Sequence, residues 1–144
     1  IMRNTDNLVN LLMKDIENKT VLEVACGAAD FSISASLHST NVFCIDLDAG
    51  RLGDGFTENV HFQIMDASDM DYADSTFDTI ILYNAFFHVQ SQWNEIKREC
   101  ERVLKANGVI YIVGTWKLDT HLIMDVFGDK AKWQDKFLIV EIRK

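Results

Sequence analysis

The sequence contains no proline, only seven glycines and three cysteines among its 144 residues. No apolar run approaches the ~18–20 residues that cross a bilayer, so no membrane-spanning segment is predicted. The three cysteines are an odd number without C-x-x-C spacing, which argues against a disulfide framework or a zinc site. We expect a reduced, cytoplasmic protein.

Positive charge is also scarce, with 14 Lys and Arg against 22 Asp and Glu and a formal net charge of −8. This balance argues against nucleic acid and against an anionic membrane surface as partners, because both require a basic face. Hydrophobic residues make up 48% of the chain, which is typical of a soluble globular core. Repeats and linkers are absent. We therefore predict one domain over residues 1–144, with an N-terminal helix segment over residues 1–18, helical from 5 to 17, and a core over 19–144.

The most informative stretch joins a predicted strand to a predicted helix. Thr20 to Val24 has the branched apolar residues of a buried strand, interrupted by Glu23. Small residues follow, and a helix is expected from about Ala29 to Leu37. Strand, tight turn and helix form the first unit of a nucleotide-binding sheet, in which the ligand lies at the carboxyl end of the strand.

The turn favours one kind of ligand over another. A dinucleotide fold requires G-x-G-x-x-G because pyrophosphate approaches the backbone closely. Here only Gly27 is present, and the carboxylate of Glu23 would repel a pyrophosphate. A nucleotide-dependent dehydrogenase is therefore disfavoured, whereas a ligand with a cationic head and no phosphate suits this turn. The alternative is a buried strand with an ordinary small-residue turn.

The segment Glu23-Val24-Ala25-Cys26-Gly27-Ala28-Ala29 resembles motif I, E/D-x-G-x-G-x-G, of the class I S-adenosylmethionine-dependent methyltransferases. Of the three glycines only the central one remains. The resemblance implies S-adenosylmethionine as cofactor and S-adenosylhomocysteine as product. It also implies that Glu23, Ala25, Cys26 and Gly27 lie against the cofactor.

Two further predicted strands end in acidic residues. Asp46 ends the strand Asn41 to Asp46, about 20 residues after the glycine turn, where an acid is expected to bind ribose hydroxyls. A simple strand-end cap is the alternative role of Asp46, and Leu47 could pack on the adenine. After the strand Val60 to Met65, Asp66 matches the family's acid that accepts from the adenine amino group, with Ala67 beside it. A solvated acidic loop is the alternative there.

The run Phe77 to Val89 resembles the motif IV region of the family's small-molecule branch. Its strand is predicted over Thr79 to Tyr83, and Tyr83 is expected at the cofactor. Asn84 and His88 are the polar residues beside the transferred methyl group, and both are candidate catalytic residues. His88 is the candidate general base, because imidazole exchanges protons near neutral pH. The alternative is a histidine that only packs or hydrogen bonds at a helix start.

The remaining chain continues the alternation of helices and strands. A helix is expected over Ser91 to Ala106, with its basic residues on a solvated face, and Arg102 to Gly108 resembles the family's R-V-L-K-P-G-G turn. In that turn Asn107 is expected to end the helix in a left-handed conformation. The further elements are predicted as a strand over 109–113, a short helix over 120–127, a strand stub near 130–133 and a last strand over 137–142.

Together these elements predict an α/β fold: a single-domain, Rossmann-like, doubly wound and mostly parallel sheet. Its C-terminal strand is expected to be antiparallel, and its sixth strand shortened.

The resemblance implies methyl transfer by in-line displacement to an unidentified acceptor, expected to be a small molecule. The loop Tyr83-Asn84-Ala85-Phe86 has no proline, unlike the N-P-P loop of enzymes that methylate DNA bases. Asp78 lies at the wrong end of its strand for a catechol-type metal site, so no metal is expected.

The segments that cover the acceptor in this family are short here. Either the acceptor pocket is open to a large substrate, or a partner subunit, a homodimer or a missing N-terminus closes it. The alternative function is a module that binds the cofactor but is catalytically inactive, acting in regulation or with a partner.

Overall fold

A computed structural model describes residues 3–144, and its centre is one seven-stranded sheet. The strand order is β3-β2-β1-β4-β5-β7-β6. Strands β1 to β5 run parallel, β7 pairs antiparallel with β5, and β6 pairs antiparallel with β7. The strands are β1 Thr20–Val24, β2 Asn41–Asp46, β3 Val60–Ile64, β4 Phe77–Tyr83, β5 Leu104–Gly114, β6 Ala131–Gln134 and β7 Phe137–Arg143.

Helices cover both faces of this sheet. Successive strand residues alternate between two cores: Leu22 and Ile80 belong to one, and Val21 and Ile81 to the other. Burial on both faces explains why the central strands are continuous apolar runs rather than alternating ones. The helices are α1 Asn4–Leu11 and α2 Asp30–Ser36 on one face, and α3 Phe86–Val89, α4 Trp93–Val103 and α5 Lys117–Phe127 on the other.

The architecture confirms the predicted fold class, including the antiparallel C-terminal strand and the short strand before it. The strand order reverses between β1 and β4, which have β2 and β5 as their outer neighbours. In open α/β sheets this switch point leaves a crevice at the carboxyl ends of the strands, where ligands bind.

Two predicted helix ends were wrong. The N-terminal helix, expected over residues 5–17, ends at Leu11, and a 3-10 turn at Met13–Asp15 follows it. The helix expected to end at Asn107 stops at Val103, because Leu104 is already extended and pairs with Phe77.

Asn107 does take the predicted left-handed conformation, with φ 67°. It does so within β5, near a register shift in the β4–β5 pairing, and not at the helix end.

Arg102 was expected on a solvated face, but it ties a loop to α4. Its guanidinium donates to the backbone oxygens of Met70 and Tyr72 and pairs with Glu99 at 2.7 Å. These bonds anchor the chain that leaves β3 to α4. Over residues 3–144 no helix is long and apolar enough to cross a membrane.

Candidate functional site

A cavity of about 590 Å³ lies at the carboxyl ends of β1, β2, β3 and β4. Its size is within the range typical of small-molecule and cofactor sites. The structure brings all the residues that the sequence nominated together in its lining. They are Glu23, Ala25, Cys26, Gly27, Asp46, Leu47, Asp66, Ala67, Tyr83, Asn84 and His88.

The turn between β1 and α2 forms the floor of the cavity. Ala25, Gly27 and Ala29 all have positive φ angles, of 55°, 55° and 60°. Glycine adopts this left-handed region without strain, whereas an alanine pays a steric cost. The two alanines at the outer glycine positions of motif I therefore keep the backbone shape that the motif requires.

Glu23 lies beneath this turn and is almost fully buried, with 1% of its surface exposed. Its Oε1 atom accepts hydrogen bonds from the Ser32 backbone amide at 3.0 Å and from the Ser32 hydroxyl at 2.7 Å. Burial raises the pKa of Glu23 to about 8 despite these bonds. At neutral pH the carboxyl group is therefore mainly protonated, and a cation arriving nearby would favour its ionised form.

Asp46 and Asp66 face the cavity from two neighbouring strand ends. Asp46 accepts a hydrogen bond from the Gly27 amide through Oδ2 at 2.8 Å. Asp66 accepts from the Ser68 amide and hydroxyl at 2.9 and 2.7 Å, and these bonds lower the pKa of Asp66. Asp66 thus caps its own turn as an ionised carboxylate. The same ionised group remains exposed to a ligand.

Cys26 is buried at the turn, and its backbone amide donates to the Ile45 oxygen at 3.0 Å. A hydrogen bond with the Cys44 sulfur and burial together raise the pKa of Cys26. A protonated thiol is a poor nucleophile, so Cys26 acts as a small turn residue.

The motif IV loop places its two polar residues differently. The Asn84 amide is bonded to Thr115: Oδ1 accepts from the Thr115 backbone amide at 2.8 Å, and Nδ2 donates to its hydroxyl at 2.9 Å. The His88 side chain is exposed at the cavity wall. Burial raises the pKa of Tyr83, which keeps this wall uncharged. Of the two catalytic candidates, Asn84 is held by hydrogen bonds to Thr115, whereas His88 is not.

Asp119 is a buried residue that the sequence did not single out. The first turn of α5 carries it, it is fully buried, and its Oδ1 accepts from the Phe87 backbone amide at 2.8 Å. Burial raises the pKa of this carboxyl group. Asp119 fixes the short helix α3 that carries His88.

Two arginines in the lining were also missed. Arg51 lies over the floor, with its Nη1 atom 2.9 Å from where a Cβ on Gly27 would be. Arg3 reaches the cavity from the chain before α1 and pairs with Asp30 at 2.9 Å. Arg51 follows the acid Asp46 by five residues, a spacing that carries no recognisable signal, and Arg3 is distant from every motif.

The charges of the lining suit a cationic ligand. Four aspartates and the mainly protonated Glu23 face two guanidinium groups there, so a pyrophosphate would meet net repulsion while a sulfonium or ammonium group would not. Over residues 3–144 no group of His, Cys, Asp or Glu side chains is arranged to hold a metal ion. The lining therefore fits S-adenosylmethionine, with the Arg51 guanidinium over Gly27 and with Asp46 and Asp66 facing the cavity. The carboxyl groups belong to Glu23, Asp30, Asp46, Asp48 and Asp66, and the guanidinium groups to Arg3 and Arg51.

Comparisons with known proteins point in the same direction. A family model described as a methyltransferase domain matches residues 22–112. A demethylmenaquinone methyltransferase of Staphylococcus saprophyticus is 29% identical over 149 residues, covering 88% of this chain and 64% of that protein. The methyltransferase GfsG of Streptomyces halstedii is 29% identical over 119 residues, covering 76% of this chain and 42% of that protein.

Solved structures share the fold. The PH0226 protein of Pyrococcus horikoshii superposes with a TM-score of 0.66 at 24% identity, covering 94% of this chain and 70% of that one.

The chain spans less than two thirds of the length of each of the two curated relatives, with 64% of the first and 42% of the second.

Proposed function

The chain belongs to the class I S-adenosylmethionine-dependent methyltransferase family, and from that premise we propose that it methylates a small-molecule acceptor. The family, the fold and the cofactor agree with what the sequence predicted. The acceptor, the roles of individual residues and the activity are proposed.

One observation carries the proposal: every residue nominated from separate motifs lines one cavity at the switch point of the sheet. Residues as far apart in the chain as Glu23 and His88 meet there. Asp46 and Asp66 end two neighbouring strands at a solvent-accessible crevice whose lining also includes the buried Glu23, an arrangement that a packed core does not require. A cofactor with a cationic group, a ribose and an adenine amino group offers a partner to each of these three acids.

The chemistry asks little of the protein beyond alignment. S-adenosylmethionine supplies an activated methyl group on a sulfonium, whose carbon–sulfur electron pair stays with the departing thioether. The acceptor atom forms the new bond to the methyl carbon, and its proton must leave if it carries one. We assign that proton to the imidazole of His88, which lies exposed at the cavity wall and passes the proton on to water.

Asn84 takes a positioning role in this proposal rather than a catalytic one. Its amide joins the loop after β4 to the loop after β5 through Thr115, in bonds of 2.8 to 3.1 Å. With φ 51° Asn84 also turns the chain into α3. The bonds fix where His88 stands relative to the carboxyl end of β4.

The name of one of the two relatives supports a small-molecule acceptor. One is named for demethylmenaquinone, and the other, GfsG, is named only as a methyltransferase. The excess of acidic residues over the whole chain and around the cavity disfavours a nucleic-acid acceptor.

The test combines binding with turnover. Calorimetry with S-adenosylhomocysteine and with NAD is expected to show binding of the first only. Labelled methyl donor is then supplied with a panel of phenols, amines and thiols, and transfer is expected to one class. His88→Gln should reduce transfer at least tenfold without altering cofactor binding, whereas His121→Gln, an exposed histidine outside the cavity lining, should change neither.

Each result separates the hypotheses. Binding of S-adenosylhomocysteine without transfer to any acceptor would favour the inactive, regulatory module. Binding of NAD in its place would overturn the cofactor and the proposal together.

A further inference from the structure

Three aromatic side chains form an exposed cluster beside the cavity, which we call the rim cluster: Phe87, His88 and Trp116. Ring centroids lie 5.7 Å apart for Phe87 and His88, 5.7 Å for Phe87 and Trp116, and 6.3 Å for His88 and Trp116. Phe87 is 44% exposed and Trp116 37% exposed. Adjacent large aromatic rings left open to water are typical of binding surfaces rather than of ordinary exterior.

The rim cluster is held from below by buried polar contacts. The fully buried carboxylate of Asp119 accepts from the Phe87 amide at 2.8 Å. Asn84 clamps Thr115, the neighbour of Trp116, and the Thr120 amide donates to the Trp116 oxygen at 3.0 Å. Both loops that carry the rings are therefore fixed to each other and to α5. A preorganised surface loses little conformational entropy when a ligand binds.

His88 connects the rim cluster to the cofactor cavity, because its ring contacts both neighbours and also lines the cavity. A ligand lying on Phe87 and Trp116 would thus present one edge to the imidazole. The five carboxyl groups around the cavity disfavour an anionic ligand in this position. The sulfonium of the bound cofactor disfavours a second cation there, so a planar and uncharged ligand suits the surface best.

From this geometry we propose that the rim cluster is the acceptor subsite and that it binds a neutral aromatic ring carrying a hydroxyl group. This inference rests on the proposed methyl transfer and names its substrate class. The hydroxyl oxygen bonds to the methyl carbon while the methyl–sulfur bond breaks and its electron pair remains on sulfur. The hydroxyl proton passes to His88, and the products are an aryl methyl ether and S-adenosylhomocysteine. Phe87 and Trp116 hold the ring by stacking or edge contacts.

The test uses 2-naphthol as the probe and decahydro-2-naphthol as its non-aromatic counterpart. Protein saturated with S-adenosylhomocysteine is titrated with each compound by calorimetry. We expect 2-naphthol to bind at least fivefold more tightly than the saturated alcohol. Trp116→Leu should weaken naphthol binding about fivefold to tenfold, which is the range of a lost aromatic pair. Trp133→Leu is the matched control, because Trp133 is exposed on β6 and outside the cavity lining.

Phe87→Leu gives a second, independent reading, and thermal melts verify that each variant folds. Equal binding of the two alcohols, no binding of 2-naphthol, or unchanged binding in both Trp116→Leu and Phe87→Leu would overturn the subsite. If S-adenosylhomocysteine binds while these tests fail, the proposed methyl transfer stands with a different acceptor. If S-adenosylhomocysteine itself does not bind, the proposed function fails, and titrating the free protein with 2-naphthol still tests the subsite.

Discussion

The backbone amide of Gly27 donates a hydrogen bond of 2.8 Å to Oδ2 of Asp46. This bond joins the turn after β1 to the end of β2, the two places from which a nucleoside would be held. The spacing after the glycine turn predicts that Asp46 binds a ribose, with a strand-end cap as the alternative. The structure shows that Asp46 also braces the turn, so removing its carboxylate should disturb more than one contact.

A pair of substitutions at Asp46 separates these contributions. Asp46→Asn keeps an oxygen for the Gly27 amide but removes the negative charge, whereas Asp46→Ala removes both. We expect Asp46→Asn to weaken S-adenosylhomocysteine binding by about 1 kcal/mol and Asp46→Ala by up to about 3 kcal/mol. Calorimetry measures the affinity and urea unfolding the stability. Equal affinity in the parent and both variants would mean that Asp46 does not contact the cofactor.

Gly27 provides a second prediction, which concerns the floor of the cavity. Gly27→Val would force a branched side chain into φ 55°, and its Cβ would meet the Arg51 guanidinium at 2.9 Å. We expect S-adenosylhomocysteine binding to be lost. Gly128→Val is the control, because Gly128 also has φ 55° but no atom within 4 Å of the added Cβ. Both variants should lose at least about 1–2 kcal/mol of stability from backbone strain, with the larger loss at Gly128, whose ψ is −128°, and only Gly27→Val should lose binding. If Gly27→Val binds as the parent does, the turn is not the cofactor site.

Glu23 should release a proton when a cationic cofactor binds. Its pKa of about 8 in the free protein means that it is mainly protonated at pH 7, and a nearby sulfonium or ammonium group would favour the ionised form. The binding enthalpy of S-adenosylmethionine, measured by calorimetry in phosphate and in Tris, should then depend on the ionisation enthalpy of the buffer. Glu23→Gln keeps an oxygen for Ser32 and should abolish this dependence. A buffer-independent enthalpy in the parent would contradict the prediction.

The same pKa shift predicts how stability changes with pH. The pKa of Glu23 in the folded protein lies above its ordinary value of 4.5. The stability that Glu23 contributes is therefore complete below about pH 4.5 and is lost as the pH rises toward 8. Urea unfolding at pH 5, 7 and 8.5 should show a decline of a few kcal/mol in the parent. The decline should be smaller in Glu23→Gln, whose side chain does not titrate, and equal declines would assign the effect to other groups.

A partly buried cluster of three side chains outside the cavity lining supports the sheet and gives the opposite pH dependence. Asp15 accepts from the Tyr111 hydroxyl and from Arg143 at 2.8 Å. Burial alone would raise the pKa of Asp15, but these bonds lower it below the ordinary 3.8. Its contribution is therefore present above about pH 4 and lost as the pH falls further.

Asp15→Asn should cost about 1–3 kcal/mol of unfolding free energy at pH 7, and less at pH 3. Denaturant unfolding at the two values measures this difference. Asp129→Asn, at an exposed aspartate, is the control and should change stability little at either pH. A cost that is the same at pH 3 and pH 7 would show that the charge of Asp15 contributes nothing.

The strands are the part of the fold that the sequence predicts best. The runs at Thr20–Val24 and Asn41–Asp46 were placed without error, because a strand buried on both faces is written as consecutive branched apolar residues. The order of alternating units then implied the parallel sheet, and the acids at strand ends implied the site. Helix ends were less certain, since Leu104 leaves α4 to pair with Phe77, a contact that no local pattern encodes.

What only the tertiary structure decided is how the site residues are partnered. Burial makes Glu23 a mainly protonated acid, its Oε1 accepts from Ser32, and Thr115 occupies the amide of Asn84. Arg51 reaches Gly27 across a loop without regular structure. Chemical identity and periodicity are local properties and can be read along the chain. The partner of a side chain, and with it the charge and role of that side chain, depends on which distant segments the fold brings within hydrogen-bonding distance.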